Sequence, residues 1–178
     1  MKYFNRCSLS FMLVMLLMCS AQAGLLPNLK LSGQGTAYYM KVFKVYDAQL
    51  HVGANATKAN ILEPNVSRCL RLNYAVDLTV DKFVLAANTV LQRQHSAAQL
   101  QRVKPLIDRV HNSYKDVKKG DIYVLCYDAN TQLTRLELND QLLVQVNSPE
   151  FAKVYFGLWL GAKAPLSAPL RASLLQGV

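Results

Sequence analysis

The sequence predicts an α+β domain with the fold of a large antiparallel sheet and helices packed on one face. Residues 29–52 and 68–76 alternate between apolar and polar side chains, as half-buried strands do. Residues 79–110 carry apolar side chains at helical spacing instead. Three short strands with polar turns follow over residues 122–146. This order of strands, helices and strands favours an antiparallel sheet over alternating β-α-β units.

The first extended segment is predicted to have one buried face, which begins at Met40. Lys44 interrupts this face, which indicates either a strand edge or a cation facing a cleft. Gly33 and Gly35 are predicted to kink or turn the chain ahead of it. The other side chains of the face are apolar or aromatic: Val42, Tyr46, Ala48, Leu50 and Val52.

The helical block contains two predicted helices. Thr79 is a candidate N-cap for the first, and Ser96 with Gln99 forms a capping box for the second. Pro105 lies within the second apolar stripe, where it is expected to kink the helix or displace its start. The block is also strongly basic, which is typical of a solvated helix face; its cations are Arg93, Arg102, Lys104, Arg109, Lys115, Lys118 and Lys119.

The C-terminal part is predicted to be an antiparallel meander followed by helices. Its strands are 122–128, 132–138 and 142–146. Ser148-Pro149-Glu150 has the N-cap, first-turn proline and acid of a helix start, and Gly161 ends that helix. Residues 165–175 form a last short helix.

Residues 1–23 have the pattern of a cleavable signal peptide. Lys2 and Arg6 precede an uncharged apolar run over residues 9–18, and Ala21-Gln22-Ala23 is a cleavage site. A short membrane anchor and a lipid-attached Cys19 are the alternatives. We expect export to the periplasm and a mature domain of residues 24–178. Removing 23 of the 178 residues leaves 155, which is enough for one domain with a core of its own.

Charge gives weak information about partners. Loss of Lys2 and Arg6 lowers the net charge from +9 to +7. A basic surface suits anionic ligands, a weak contact with an anionic membrane surface, or nucleic acid. Export and the lack of an arginine-rich block argue against nucleic acid. The oligomeric state is not specified by these features.

The predictions of a disulfide and of metal binding depend on two cysteines and three histidines. Cys69 and Cys126 each lie within a predicted strand of an exported chain, so we expect a disulfide, with two buried thiols as the alternative. The three histidines show no metal-ligand spacing, so no metal site and no cofactor are predicted.

Several short motifs follow one another in a fixed order. They are Gly33-Gln34-Gly35 ahead of Lys44–Leu50, the turn Asp116–Asp121, Leu138-Asn139 at a hairpin, Phe151 ahead of Leu158-Trp159-Leu160-Gly161, and a closing segment Leu170–Gly177. In this order they resemble the exported bacterial branch of the chalcone isomerase-like family, over nearly all of the mature chain. The resemblance implies a large antiparallel sheet backed by helices, with a ligand cleft between them.

Catalysis is not expected to carry over from the plant enzymes of the same superfamily. Their ketone-polarising arginine falls at Ala37 or Tyr38 here, and their threonine falls at Tyr46. The helical block offers Asn88 and Thr89 but no tyrosine before position 114. Loss of a preorganised oxyanion donor typically costs about two to three powers of ten in rate. We therefore expect no catalytic residues and no chalcone isomerisation.

The same superfamily includes fatty-acid carriers that hold a carboxylate with an arginine and a tyrosine. By this resemblance, Tyr46 supplies the phenol and Lys44 the cation, two residues apart on one strand face. The leading hypothesis is non-catalytic binding of a small amphipathic or acyl-type ligand in the periplasm. An isomerase or intramolecular lyase with a rearranged site is the second hypothesis. A structural or interaction protein with a filled cleft is the third.

Overall fold

A computed structural model describes residues 26–178. The predicted signal peptide, residues 1–23, and its cleavage site lie outside the described residues. Within the described part, no helix has both the length and the apolar character needed to cross a bilayer. The elements, in chain order, are β1 (Lys30–Tyr39), β2 (Phe43–Val52), β3 (Arg68–Tyr74), α1 (Val80–Gln94), α2 (Ala97–His111), β4 (Ile122–Asp128), β5 (Leu133–Leu138), β6 (Gln141–Asn147), α3 (Pro149–Leu160) and α4 (Ala168–Leu174).

The strands form one six-stranded sheet in the order β1-β2-β3-β4-β5-β6, and every neighbouring pair is antiparallel. The main core lies between this sheet and the helices, and it includes Leu50, Leu70 and Leu125 from successive central strands. Helix α3 is buried nearly all round. The predicted fold class, an α+β domain with a large antiparallel sheet and helices on it, is therefore confirmed.

The segment 29–52 is a hairpin, so the prediction of one buried face from Met40 onward is wrong there. β1 ends at Tyr39 and β2 starts at Phe43. Met40 and Lys41 form the turn between them, both with positive φ, of 50° and 62°. A turn of this type usually uses Asn or Gly, and neither is present, so the sequence carries no turn signal. Only from Tyr46 onward does the predicted parity face the core.

Gly33 and Gly35 do not turn the chain, since both lie inside β1, although the pairing of β1 with β2 shifts register between Leu31 and Gly33. They are small because α4 packs directly on this strand. A Cβ at Gly33 would overlap the backbone oxygen of Ser173, and one at Gly35 would lie 2.9 Å from the Ser173 Cβ. The Ser32 hydroxyl also donates a hydrogen bond to the Leu174 carbonyl at 2.8 Å, which fixes α4 against the edge of the sheet.

The helix starts follow the predicted capping residues. Ser96 and Gln99 form the capping box of α2, and the Ser148 hydroxyl accepts from the Phe151 N–H at 3.1 Å. Pro105 lies inside a continuous α2. Thr79 precedes α1, but the N–H of Val80 donates to the Asp116 carboxylate at 2.8 Å.

The predicted disulfide between Cys69 and Cys126 is present. The two residues face each other directly on β3 and β4, with their Cα atoms 4.0 Å apart. They belong to a second apolar cluster, separate from the main core, together with Val124, Leu26 and Leu29. The bond therefore joins the β1-β2-β3 half of the sheet to the β4-β5-β6 half.

Candidate functional site

A cavity of about 700 Å³ lies between the sheet and helices α1 and α3. The cleft that the sequence predicts is therefore open, which disfavours the hypothesis of a filled cleft. Apolar and aromatic side chains make up most of the wall. From the sheet these include Ala37, Tyr46, Leu72, Tyr74, Tyr123, Leu125 and Leu136, and from the helices Phe83, Ala87, Leu158 and Trp159.

Tyr46, predicted as a ligand-binding residue, lies in the cavity wall near the middle of β2. It is buried, and its hydroxyl oxygen accepts a hydrogen bond from the Trp159 indole N–H at 3.0 Å. The indole nitrogen can only donate, so the Tyr46 hydroxyl keeps its own proton for another acceptor. Burial raises the pKa of Tyr46 to about 12, which keeps this proton in place at neutral pH.

Tyr74 lies beside Tyr46 on the next strand, with the ring centroids 5.4 Å apart in an edge-to-face arrangement. Within residues 26–178, its hydroxyl makes no hydrogen bond to another group of the protein. Burial raises the pKa of Tyr74 well above its usual value, so this phenol is also a donor at neutral pH. The wall therefore presents two neighbouring phenolic protons to whatever occupies the cavity.

Apart from the exposed Tyr38 and Tyr39 at the cavity mouth, the other tyrosine hydroxyls of this region already have partners. Tyr114 stacks on Phe83 and shares a 2.7 Å hydrogen bond with the hydroxyl of Tyr155. The Tyr123 hydroxyl bonds to both the backbone N–H and the carbonyl of Lys115. These rings form a rigid apolar wall, and Tyr46 and Tyr74 are left as its free donors.

Lys44, the second predicted ligand-binding residue, lies at the mouth of the same cavity. Its ammonium is 2.7 Å from the Asp47 carboxylate, and both side chains are about half exposed. The hydrogen bond from Lys44, followed by that from the Thr36 hydroxyl, lowers the pKa of Asp47. The structure thus brings Lys44 and Tyr46 to one cavity but gives the lysine an anionic partner. Lys82 of α1 is a second amine at the mouth.

The positions of the plant catalytic residues offer no replacement chemistry. Ala37 is buried in the cavity wall and Tyr38 is exposed at its mouth. Asn88 and Thr89 of α1 are not among the residues that line the cavity. No histidine or carboxylate side chain lines it either, as far as the described residues extend. Over the same range, no three His, Cys, Asp or Glu side chains converge as a metal site would require.

Sequence reasoning missed Tyr74 and Trp159 as residues of the site. Tyr74 shares its strand face with Leu70 and Leu72, and this alternation indicates a buried side chain. Trp159 belongs to the apolar stripe of α3, which from the sequence alone indicates a core residue. A polar end on an otherwise apolar face was the available signal in both cases, because a buried phenol or indole needs a partner.

Comparisons with known proteins agree with this architecture. The model of the family described as chalcone isomerase-like matches residues 21–176. The structure is similar to the crystal structure of a fatty-acid binding protein from Arabidopsis thaliana, with a TM-score of 0.64 and 14% sequence identity. That match covers 86% of this chain and 90% of the plant chain. A comparison with curated protein sequences finds no match.

Proposed function

The chain belongs to the chalcone isomerase-like family, and we propose that it is a non-catalytic binding protein for a small amphipathic ligand with an acyl-type chain. The observation that carries this proposal is the cavity of about 700 Å³, walled by apolar side chains with two free phenolic donors. Ligand pockets commonly measure about 300–1,000 Å³ and combine such walls with a few polar groups. The fold similarity to a fatty-acid binding protein supports the same class of ligand.

We place the ligand's head group at Tyr46, Tyr74 and Lys44. Tyr46 and Tyr74 can each donate a proton to a carboxylate oxygen, and a hydrogen bond to a charged group is worth about 1.5–3 kcal/mol. Lys44 lies two residues from Tyr46 on the same strand and can turn from Asp47 toward the head group. The chain of the ligand would then extend along the apolar wall toward Leu125 and Leu136.

Binding is favoured over catalysis by the chemistry of the wall. The phenols of Tyr46 and Tyr74 have raised pKa values, so at neutral pH they stay protonated and can donate hydrogen bonds but cannot act as bases. An isomerase or lyase would need a base near the substrate; the lining residues offer neither histidine nor carboxylate, and their two amines, Lys44 and Lys82, lie at the mouth. This supports a protein that holds its ligand unchanged.

We further propose that the protein belongs to an exported bacterial branch of the family and acts in the periplasm. The disulfide between Cys69 and Cys126 supports this location, because such bonds persist in oxidising compartments. The signal pattern in residues 1–23 supports it independently. The mass of the protein isolated from its own periplasm should correspond to a chain that starts at Gly24.

Trp159 makes the binding proposal directly testable. It is the one tryptophan of the sequence and lies in the cavity wall, so its fluorescence should respond when palmitate enters. Titration of the mature protein with palmitate should give saturable binding. Tyr46→Phe should weaken binding about tenfold, because it removes one charge-assisted hydrogen bond. Lys44→Met should weaken it by a smaller factor, since Asp47 competes for the ammonium.

Two control variants carry the same chemical changes outside the cavity. Tyr127→Phe removes a hydroxyl that bonds to the Pro64 carbonyl, and Lys153→Met removes an ammonium paired with Glu63. Both should bind palmitate as the wild type does. Failure of the wild-type protein to bind palmitate or any other acyl ligand would overturn the proposed function. Equal binding by Tyr46→Phe and the wild type would overturn only the head-group assignment.

A further inference from the structure

Exposed hydrophobic side chains concentrate at one place in the described part of the chain. Of the eight large hydrophobic residues that are exposed there, six surround the tip of the β1–β2 hairpin and the cavity mouth. Soluble monomers rarely gather such residues into one patch unless it contacts a partner or a membrane. The six residues, named here the mouth patch, are Tyr38, Tyr39, Met40, Val42, Phe43 and Leu85.

The mouth patch is continuous with the cavity. Tyr38, Tyr39, Phe43 and Leu85 are exposed to solvent and also line the cavity. Met40 and Val42 do not line it; they project beyond the mouth and are 71% and 72% exposed. A surface that covered this patch would therefore also cover the entrance to the cavity.

The residues of the hairpin turn are poorly suited to the turn itself. Met40 and Lys41 both have positive φ, which is costly for residues with long side chains and is usually left to Gly, Asn or Asp. Neither side chain gains packing in return, since both are exposed. Folding therefore gives no reason for a methionine and a lysine here, whereas contact with an apolar and anionic surface does.

The composition of the patch matches a lipid bilayer with anionic headgroups. Tyrosine and phenylalanine are the kinds of side chain that occupy the boundary between headgroups and acyl chains. Lys41 has no acidic partner within 4.0 Å among the described residues, and Lys82 lies at the same mouth. The chain outside residues 1–23 also carries a net charge of +7, the +9 total less Lys2 and Arg6. Apolar burial together with cationic attraction is how peripheral proteins bind such membranes.

We propose that the mouth patch docks on the surface of an anionic lipid bilayer, with Met40 and Val42 inserted among the lipids and the cavity mouth facing them. Docking goes beyond the proposed function, because it does not require that an acyl chain enters the cavity. If the proposed function also holds, docking gives an acyl ligand a path between bilayer and cavity that avoids water.

Vesicle binding tests the proposal with the full mature protein. The wild-type protein should co-sediment with vesicles of phosphatidylcholine and phosphatidylglycerol in equal parts. Much less of the protein should co-sediment with vesicles of phosphatidylcholine alone. Met40→Asn/Val42→Thr should lower the partition coefficient about tenfold or more, because both inserted side chains are lost. Lys41→Gln should lower it about fivefold on the anionic vesicles and little on the neutral ones.

The control variant is Leu142→Asn, which removes an exposed leucine of β6 that is not part of the mouth patch. It should bind vesicles as the wild type does. Met40→Asn/Val42→Thr should still fold, since asparagine tolerates the conformation at position 40, and circular dichroism checks this. Palmitate titration without vesicles should be unchanged in it, because neither residue lines the cavity.

Three results would overturn the docking proposal. One is a wild type that does not bind anionic vesicles, and another is a double variant that binds them equally well. The third is a wild type that sediments as a dimer without lipid and becomes monomeric in the double variant, because the patch would then join two copies of the chain. The first two results leave the palmitate titration unaffected, and in the third the titration is made on the monomeric double variant, so docking and ligand binding can fail separately.

Discussion

The hairpin tips of β1–β2 and β5–β6 each turn on two residues with positive φ, but their side chains are very different. Met40 and Lys41 turn the first hairpin with φ values of 50° and 62°. Asn139 and Asp140 turn the second with 49° and 64°. Both tips lie at the same end of the sheet, since the chain reverses direction at each strand. The first tip is apolar and basic, and the second is polar.

Hydrogen bonds show the same contrast. The side-chain carbonyl of Asn139 accepts from the Ile122 N–H, and its amide donates to Asp121, both at 2.8 Å. No side-chain hydrogen bond anchors Met40 or Lys41. The β5–β6 tip therefore has residues that stabilise its conformation, whereas the residues of the β1–β2 tip suit the external contact that the docking proposal gives them. By this proposal, a pair of positive-φ residues is stabilised by its side chains at one tip and is kept for function, at a cost in stability, at the other.

Removal of the disulfide should have the largest effect, because it joins the halves of the sheet that carry the two tips. Cys69→Ala/Cys126→Ala opens a loop of 57 residues, which should lower the free energy of unfolding by about 4 kcal/mol. Urea unfolding followed by Trp159 fluorescence and by circular dichroism measures this. Reduction should shift the wild type similarly and leave the double variant unchanged. An unaltered midpoint would mean that pairing within the sheet already holds the halves together.

Exchange of the two turn dipeptides should have effects of opposite sign. Asn139→Met/Asp140→Lys loses two hydrogen bonds and gains an unfavourable turn, so the free energy of unfolding should fall by about 2–3 kcal/mol. Met40→Asn/Lys41→Asp should raise it by about 1 kcal/mol, because these residues tolerate positive φ better. Thermal and urea unfolding give both values. Destabilisation by both exchanges would show that the side chains of the β1–β2 tip do contribute to folding.

The smallest predicted effect concerns Asp47, the acid of β2 that pairs with Lys44. Asp47→Asn should release Lys44 and strengthen palmitate binding about two- to fivefold, since an exposed ion pair is worth little. Asp121→Asn is the matched control beside the β5–β6 tip, and it should change stability but not binding. The lowered pKa of Asp47 means that the pair forms above this pKa and is lost as the pH falls through it. Palmitate titrations near neutral pH therefore compare the variants with the pair fully formed in the wild type.

Most of the fold follows from short-range patterns in the sequence. The alternation in β3 and the capping residues Ser96 and Ser148 predict their elements correctly, because local chemistry and tertiary packing agree there. The β1–β2 hairpin could not be predicted, since its turn has no Gly, Asn or Asp. The packing role of Gly33 and Gly35 could not be predicted either, because the helix that needs them small is α4, some 140 residues later.

The site could be predicted only in part, because some of its residues are neighbours on one strand and others come from distant elements. Parity along β2 places Tyr46 in the cavity, and the resemblance to carriers directs attention to Lys44 beside it. The partners Trp159 and Tyr74 come from α3 and β3, and only the folded chain brings them to Tyr46. Pairing of Lys44 with Asp47 was also invisible, because residues three apart on a strand normally point to opposite faces.

The pKa values of the phenols in the cavity wall also determine how a ligand would be released. Its free donors, Tyr46 and Tyr74, have raised pKa values, and no imidazole or carboxyl group lines the described cavity. Mild acidification therefore leaves the charge of the wall unchanged, unlike in carriers that unload through a histidine. An acyl ligand held there would be released by competition with a bilayer, according to its relative solubility in each. Chain length, which sets that solubility, would then decide which ligands are kept and which are passed on.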